Sequence, residues 1–121
     1  MSKILIVDDE VKTGRFLKRF LEIKGYDVIT SNNGEDALKK AKNGKPDIIL
    51  LDIKMPGMDG IEVLRCVREF DKDVCIIMVT VVNDKSTGTE ALKSGADEYI
   101  TKPINLNYLD KVIHNKLFGN L

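Results

Sequence analysis

The sequence predicts an α/β protein in which helices cover both faces of a parallel sheet. Five short apolar segments alternate with five segments of helical periodicity along the 121 residues, which is typical of repeated strand–helix units. The segments at 3–7 and 47–52 are nearly continuous apolar runs, as in strands that are buried on both faces. The residues with useful chemistry stand where strands end, and such sheets bind their ligands at those ends.

The first half of the chain predicts three strands and two helices. Residues 3–7 form the first strand, and residues 26–31 alternate as in a shorter strand nearer the edge. Residues 11–24 form a helix that stops at Gly25, with these apolar residues on one side: Phe16, Leu17, Phe20 and Leu21. The turn at 32–34 precedes a short helix, ending near Gly44, that is marked by Ala37, Leu38 and Ala41. Residues 47–52 form the third strand.

The second half predicts two strands and three helices. Asp59 and Glu62 have capping-box spacing, so a helix begins at Gly60 and runs to about residue 70. Its inward residues are Ile61, Leu64 and Val67. Residues 74–80 and 98–101 form the fourth and fifth strands. Residues 84–94 form a helix whose first half has poor helix propensity, so we expect it to be marginal and easily shifted. The last helix, at 106–117, buries Leu109, Val112 and Ile113.

Composition narrows the class of protein. Nineteen basic and nineteen acidic residues leave no net field with which to hold nucleic acid or an anionic membrane. Cys66 and Cys75 have neither metal-ligand nor Cys-x-x-Cys spacing, so we expect reduced core residues. The N-terminus lacks a signal-peptide pattern, and no apolar run approaches the ~20 residues of a membrane span. These features predict one soluble, cytoplasmic domain.

Five side chains suited to phosphate chemistry share the predicted rim of the sheet: Asp8, Asp9, Asp52, Thr80 and Lys102. Carboxylates this close repel one another unless a cation neutralises them. An all-oxygen ligand set suits Mg²⁺, whereas zinc favours histidine and cysteine. Metal, ammonium and hydroxyl groups together can hold a phosphoryl group during transfer. Asp52 is the plausible nucleophile at the centre, so the product would be an aspartyl-phosphate.

The strand-end residues, the Lys-Met-Pro-Gly-Met-Asp-Gly segment at 54–60, and Lys102-Pro103 resemble the receiver domain of two-component response regulators. The resemblance covers essentially the whole chain, so residues 1–121 are expected to form one receiver domain. It implies a flavodoxin-like, doubly wound sheet of five parallel strands in the order 2-1-3-4-5, with five helices. It also implies a phosphoacceptor in phosphorelay signalling that assists its own phosphorylation and dephosphorylation, rather than an enzyme that turns over a separate substrate.

By this resemblance, Asp52 accepts a phosphoryl group from a phosphohistidine on a sensor histidine kinase or a phosphotransfer protein. Asp9 and Asp52, with the backbone carbonyl of Lys54, would bind Mg²⁺. Asp8 would act mainly through coordinated water.

The resemblance also implies a switch. Thr80 and Lys102 would bind the phosphoryl oxygens, and Tyr99 matches an aromatic residue whose ring turns inward when the threonine moves toward the phosphate. The marginal fourth helix would yield to that movement, so the face formed by the fourth helix, fifth strand and fifth helix would be the output surface. The Lys102-Pro103 peptide bond is expected to be cis.

Three residues depart from the family pattern or have an open role. Val81 replaces the usual alanine or glycine and should crowd the entrance to the phosphoryl site, which would slow small phosphodonors. Val82 cannot orient an attacking water, which would favour a long-lived phosphorylated form. Lys54 either lies over the phosphoryl group and screens it or points to solvent.

Other functions fit the same residues less well. A phosphatase of the haloacid-dehalogenase type needs an acid two residues after its nucleophile, where this chain has Lys54. A flavin or nucleotide site would follow the first strand, where Asp8, Asp9 and Glu10 would repel phosphate. A receiver-shaped module that is never phosphorylated is disfavoured by the complete acid, threonine and lysine set. Asp9 could also cap a helix. His114 is expected to be a surface residue.

The sequence does not identify the partner that the output surface would bind. A single-domain regulator of the chemotaxis or sporulation-relay type would bind a partner protein or pass its phosphoryl group on. A fragment of a longer regulator would instead control an output domain. No direct contact with nucleic acid or membrane is expected, and the state would be a monomer or a phosphorylation-dependent dimer.

Overall fold

Five parallel strands form one sheet in the computed structural model, which describes residues 2–81 and 85–119. The strands are β1 (Lys3–Val7), β2 (Asp27–Ser31), β3 (Ile48–Asp52), β4 (Cys75–Val81) and β5 (Glu98–Lys102). Their spatial order is β2-β1-β3-β4-β5. Val7 pairs with Leu51, and Thr80 pairs with Thr101. The predicted α/β class, parallel pairing and strand order are confirmed.

A helix follows each strand. The helices are α1 (Val11–Ile23), α2 (Gly34–Gly44), α3 (Gly60–Phe70), α4 (Lys85–Lys93) and α5 (Leu106–Phe118). Side chains of Asn33, Asp59 and Asn105 accept backbone N–H groups at the starts of α2, α3 and α5, so local capping fixes where these helices begin. The predicted start of α4 at Asp84 lies outside the described residues. In the described ranges, no helix has the length and apolarity to cross a bilayer.

The sheet separates two apolar clusters. One lies on the face covered by α2, α3 and α4, and includes Leu51, Met78 and Ala91. The other lies on the face covered by α1 and α5, and includes Leu50 and Leu109. All five residues of β3 are buried, so a charged side chain on this strand can reach water only at its end.

Two predicted burial assignments need correction. Phe16 is 60% exposed, because α1 presents Gly14, Leu17 and Leu21 to the sheet at helical spacing. Phe16 lies about 100° around the helix from Leu17 and therefore points to solvent. Cys66 and Cys75 are free thiols but only half-buried, and Cys75 packs at the margin of the second apolar cluster. His114 is exposed, as predicted.

Two strands run one residue further than predicted. β4 continues through Val81 and β5 through Lys102, because these two residues still pair with each other. Lys102 is therefore held by the sheet itself.

Arg68, near the end of α3, fastens the turn that precedes β5. Its guanidinium donates to the carbonyl oxygens of Val74 at 2.7 Å and Gly95 at 2.9 Å. It also pairs with the Asp97 carboxylate at 3.0 Å, and that carboxylate accepts the N–H of Ile76 at 2.8 Å. The Arg68 side chain is only 15% exposed, although that of Asp97 is 42% exposed, and the bond to Val74 is partly buried. These bonds tie the carboxyl end of α4 to α3 and β4.

Candidate functional site

The end of β1 supplies two carboxylates that differ in exposure. Asp8 is buried, and one of its oxygens, Oδ1, accepts the N–H of Glu10 at 2.8 Å. Asp9 is exposed. The residue before α1 is Glu10, which makes no side-chain cap, so the suggestion that Asp9 also caps this helix is wrong. Because Asp8 uses Oδ1 to hold the chain that enters α1, its Oδ2 remains for the rim.

The end of β3 places Asp52 at the centre of the rim, with its side chain 8% exposed. The next residue, Ile53, donates its N–H to Val79 at 3.0 Å and accepts the N–H of Gly60 at 2.8 Å. The first residue of α3 thus rests on the backbone of β3. A Cβ at Gly60 would lie 2.2 Å from the carbonyl oxygen of Asp52 and 2.7 Å from Cα of Ile53. Only glycine allows this approach.

This positioning role of Gly60 was missed from the sequence. There, Gly60 was interpreted as the helix start within a family motif. A glycine directly after an N-capping aspartate is the one local signal of a close backbone contact, and it does not reveal the partner.

The end of β5 brings a cation to the carboxylates. Lys102 Nζ lies 3.2 Å from Asp52 Oδ2 and 3.5 Å from Asp8 Oδ2. The Lys102-Pro103 peptide bond that follows is cis. A strand fifty residues away in sequence from Asp52 therefore completes the rim, and the ammonium is in contact with two of its three acids.

The three carboxylates form a compact oxygen cluster. One oxygen from each of Asp8, Asp9 and Asp52 lies within 4.8 Å of the others. Burial raises the pKa of Asp52 above its ordinary value; Lys102 opposes this, whereas Asp8 and Asp9 add to it. Burial lowers the pKa of Lys102, but its attraction to Asp52 and Asp8 outweighs that effect and leaves the pKa raised. The donor set is all oxygen and strongly acidic, so these residues fit a hard divalent cation.

Thr80 and Tyr99 lie on the neighbouring strands β4 and β5. Thr80 is buried, and its Oγ1 has no hydrogen-bond partner among the described residues. A buried hydroxyl without a partner is unfavourable by about 1–3 kcal/mol, which fits a group reserved for a ligand. Tyr99 is half-buried and packs against the cluster below α4.

The loop after Asp52 and the end of β4 contain the departures from the family pattern. Lys54 is exposed, while Met55 is buried and anchors the loop. That the backbone carbonyl of Lys54 binds the metal stays a prediction. Val81 is 41% exposed at the end of β4. Val82 lies outside the described residues.

Comparison with known proteins gives one answer. The family model "Response regulator receiver domain" matches residues 4–114. Among curated proteins, the alkaline phosphatase synthesis transcriptional regulatory protein PhoP of Bacillus subtilis is 46% identical over 104 residues, which are 86% of this chain and 43% of PhoP. ResD of the same organism, a transcriptional regulatory protein, is 41% identical over the same shares of the two chains. This chain therefore spans less than half the length of these relatives.

Solved structures agree in fold. A CheY-like response regulator receiver domain protein from Methanospirillum hungatei superposes with a TM-score of 0.92 at 35% identity, covering 97% of this chain and 94% of that one. The chemotaxis protein CheY4 of Vibrio cholerae gives 0.89 at 32% identity, covering 95% and 98%. Strand order, rim and matches together show that the chain belongs to the response regulator receiver domain family.

Proposed function

We propose that Asp52 is the phosphoacceptor of this receiver domain, and that it takes its phosphoryl group from a phosphohistidine of a sensor histidine kinase or a phosphotransfer protein. The observation that carries this proposal is the position of Lys102. Its ammonium contacts both Asp52 and Asp8 at the rim, so a phosphoryl group on Asp52 would form beside a fixed positive charge.

The chemistry assigns a separate task to each group. An oxygen of Asp52 attacks phosphorus, the new P–O bond forms as the P–N bond to the histidine breaks, and the imidazole leaves with the bonding electrons and takes up a proton. Lys102 and the free hydroxyl of Thr80 bind the phosphoryl oxygens. In dephosphorylation, water attacks the phosphorus of the aspartyl-phosphate, and a new P–O bond forms as the P–O bond to Asp52 breaks. The water's protons pass to solvent and phosphate, inorganic phosphate leaves, and Asp52 returns to its free carboxylate. No turnover of a separate substrate is part of this proposal.

Asp8, Asp9 and Asp52, with the backbone carbonyl of Lys54, would hold Mg²⁺. The bound ion would neutralise the mutual repulsion of the carboxylates and the charge that develops on the phosphoryl oxygens. The oxygen-only set within 4.8 Å supports this choice of metal. Asp8 would act mainly through coordinated water, because one of its oxygens already holds Glu10.

Thr80 and Tyr99 would convert phosphorylation into a change of surface. The phosphoryl group adds about 1.5–2 negative charges and attracts the Thr80 hydroxyl. The Tyr99 ring then turns into the space that Thr80 leaves, and α4 adjusts. The face formed by α4, β5 and α5 would signal to an output partner or output domain in the cytoplasm. The protein would act as a monomer or as a phosphorylation-dependent dimer. The names of PhoP and ResD, both transcriptional regulatory proteins, support a transcriptional output.

Two valines would set the kinetics. Val81, next to Thr80, would slow phosphorylation by small donors, and Val81→Ala should be faster. Val82 would leave the attacking water without an orienting group, so the phosphorylated form would persist longer than in Val82→Glu. The decay of the phosphorylated form, followed by intact mass after removal of the donor, measures the second effect.

The test is phosphorylation by acetyl phosphate with Mg²⁺, followed by intact mass. Wild type should gain one phosphoryl group, and peptide mapping should assign it to Asp52. Asp52→Asn should gain none. Asp73→Asn is the matched control, because Asp73 is exposed at the opposite end of the sheet. Modification that persists in Asp52→Asn, or a wild type that is never modified, would refute the proposal. Rapid hydrolysis of a chromogenic phosphate ester would favour the phosphatase alternative instead.

A further inference from the structure

Tyr99 rests on α4 at a position that has no side chain. A Cβ built at Gly88 would lie 3.0, 3.1 and 3.2 Å from three ring carbons of Tyr99. Gly88 is buried within α4, three residues before the fully buried Ala91. Glycine in a helix interior costs about 0.5–1 kcal/mol relative to alanine, so helix propensity does not explain it. The ring occupies the volume that a larger residue would need.

The strand register puts this ring near the Thr80 hydroxyl. Tyr99 pairs with Met78, and Thr80 pairs with Thr101. Side chains alternate between the faces of a sheet, so Met78 and Thr80 share one face. Tyr99 packs against the same cluster as Met78. The ring is therefore a diagonal neighbour of Thr80 beneath α4, and a movement of Thr80 alters the space open to the ring.

The two halves of α4 are held differently. At the carboxyl half, Glu90 pairs with Arg65 at 3.1 Å, and the turn that follows is fastened by Arg68. In the amino half, the Thr89 hydroxyl turns back to the carbonyl of Lys85 at 3.0 Å, a bond that tends to bend helices. Because an added Cβ at Gly88 would meet the ring, a displaced ring would alter the packing of α4 at this residue.

We propose that Gly88 is a positioning residue that sets the resting place of Tyr99. Bare backbone at 88 lets the ring lie against α4 while Asp52 is unphosphorylated. A methyl group at 88 would push the ring away from α4 and toward the place it takes after phosphorylation. The inference rests on the proposed function, because it needs a phosphoryl group that moves Thr80. It deepens that function by assigning the resting state to one residue of α4.

The ring position can be measured without any ligand. The chain has three tyrosines, so 3-fluorotyrosine labelling gives three ¹⁹F resonances, and Tyr99→Phe assigns the one needed. In Gly88→Ala this resonance should move along the line from the free to the beryllofluoride-bound wild type. Gly14→Ala is the matched control, because it is also a buried helix glycine but has no atom within 4 Å of an added Cβ. Its Tyr99 resonance should stay in place.

The energetic consequence is measured by titrating beryllofluoride in the presence of Mg²⁺. Gly88→Ala should bind at least about fivefold more tightly than wild type, since a two-state element biased by one contact typically couples sites by this factor or more. The gain should disappear in the Tyr99→Ala background, which a merely structural effect on α4 would not require. Gly14→Ala should bind like wild type.

The outcomes separate the two levels of the proposal. A wild type that does not bind beryllofluoride with Mg²⁺ refutes the proposed function, and the role of Gly88 falls with it. A wild type that binds, with Gly88→Ala of equal or weaker affinity, overturns the role of Gly88 alone. A gain in affinity that persists without Tyr99 overturns it too.

Discussion

Replacing Gly60 with alanine should damage both the fold and the phosphoryl site. The added Cβ would lie 2.2 Å from the carbonyl oxygen of Asp52, and packed atoms of this kind stay at least 3.0 Å apart. The atoms that the new Cβ would meet belong to the backbone of Asp52 and Ile53, so the clash cannot be relieved by rotating a side chain. The start of α3 and the end of β3 must separate by about 0.8 Å, which stretches the 2.8 Å bond from Gly60 to Ile53.

The cost follows from these contacts. A weakened buried hydrogen bond contributes about 1–3 kcal/mol, and the forced shift adds about 1–3 kcal/mol of overpacking. Gly60→Ala should therefore lose about 2–6 kcal/mol of unfolding free energy. For a chain of this length, that lowers Tm by roughly 8–24 °C. Displacement of Asp52 by nearly an ångström should also slow phosphorylation by acetyl phosphate about 100-fold.

Calorimetry and intact-mass kinetics on the same preparations measure both effects. Gly14→Ala is again the control, since its Cβ meets nothing within 4 Å and alanine should stabilise α1 by up to about 1 kcal/mol. If Gly60→Ala melted with wild type and accepted phosphoryl groups at the same rate, the close contact between α3 and Asp52 could not be the reason for a glycine here.

Three further expectations concern charges and thiols. Arg68→Met should lose about 3 kcal/mol in urea unfolding because partly buried acceptors lose their donor, whereas Arg65→Met, whose ion pair is exposed, should lose under about 1 kcal/mol. Asp52→Asn should raise Tm at pH 7 without Mg²⁺: the raised pKa of Asp52, due first to burial, means that its stability contribution is present at acidic pH and lost as pH rises. The gap from wild type should narrow on acidification, and added Mg²⁺ should stabilise the variant less than wild type; a lower Tm at pH 7 would contradict the sign. Burial raises the pKa of Cys75 to about 11, so in a Cys66→Ser background iodoacetamide at pH 8 should label the folded protein roughly 100-fold more slowly than the urea-unfolded chain; equal rates would show an accessible thiolate.

The strands and the rim were predictable because their cause is local. A buried strand such as Ile48–Asp52 needs apolar residues on both faces, and a charge can enter it only at the end. Four of the strands therefore show their rim residues in the local sequence, and parallel pairing brings those strand ends together. Asp8, Asp52 and Lys102 meet for this reason, although 94 residues separate the first from the last.

What escaped prediction depends on contacts between distant segments. Phe16 and Leu17 are both apolar, and periodicity alone could not tell which of them α1 turns toward the sheet. From the sequence, Gly60 was interpreted as a helix start and Gly88 as a weak helix former. Their importance lies in what fills the missing Cβ, the backbone of Asp52 in one case and the ring of Tyr99 in the other. The sequence does not show which atoms pack against a glycine.

The rim is the one region where the described structure leaves polar groups poorly matched. Three acids cluster there while Lys102 contacts two of them, Asp8 and Asp52, and the Thr80 hydroxyl has no partner in the described ranges. Both features oppose folding, since like charges repel and a buried donor without an acceptor is unfavourable. A divalent cation relieves the first, and a phosphoryl oxygen relieves the second. On the proposed function, ligand binding would therefore relieve unfavourable interactions that the fold leaves at the rim, and movement of Thr80 toward the phosphoryl group would couple that gain to Tyr99 and α4. If the carboxylates and the Thr80 hydroxyl already had partners in the free protein, the rim would bind the metal and the phosphoryl group more weakly.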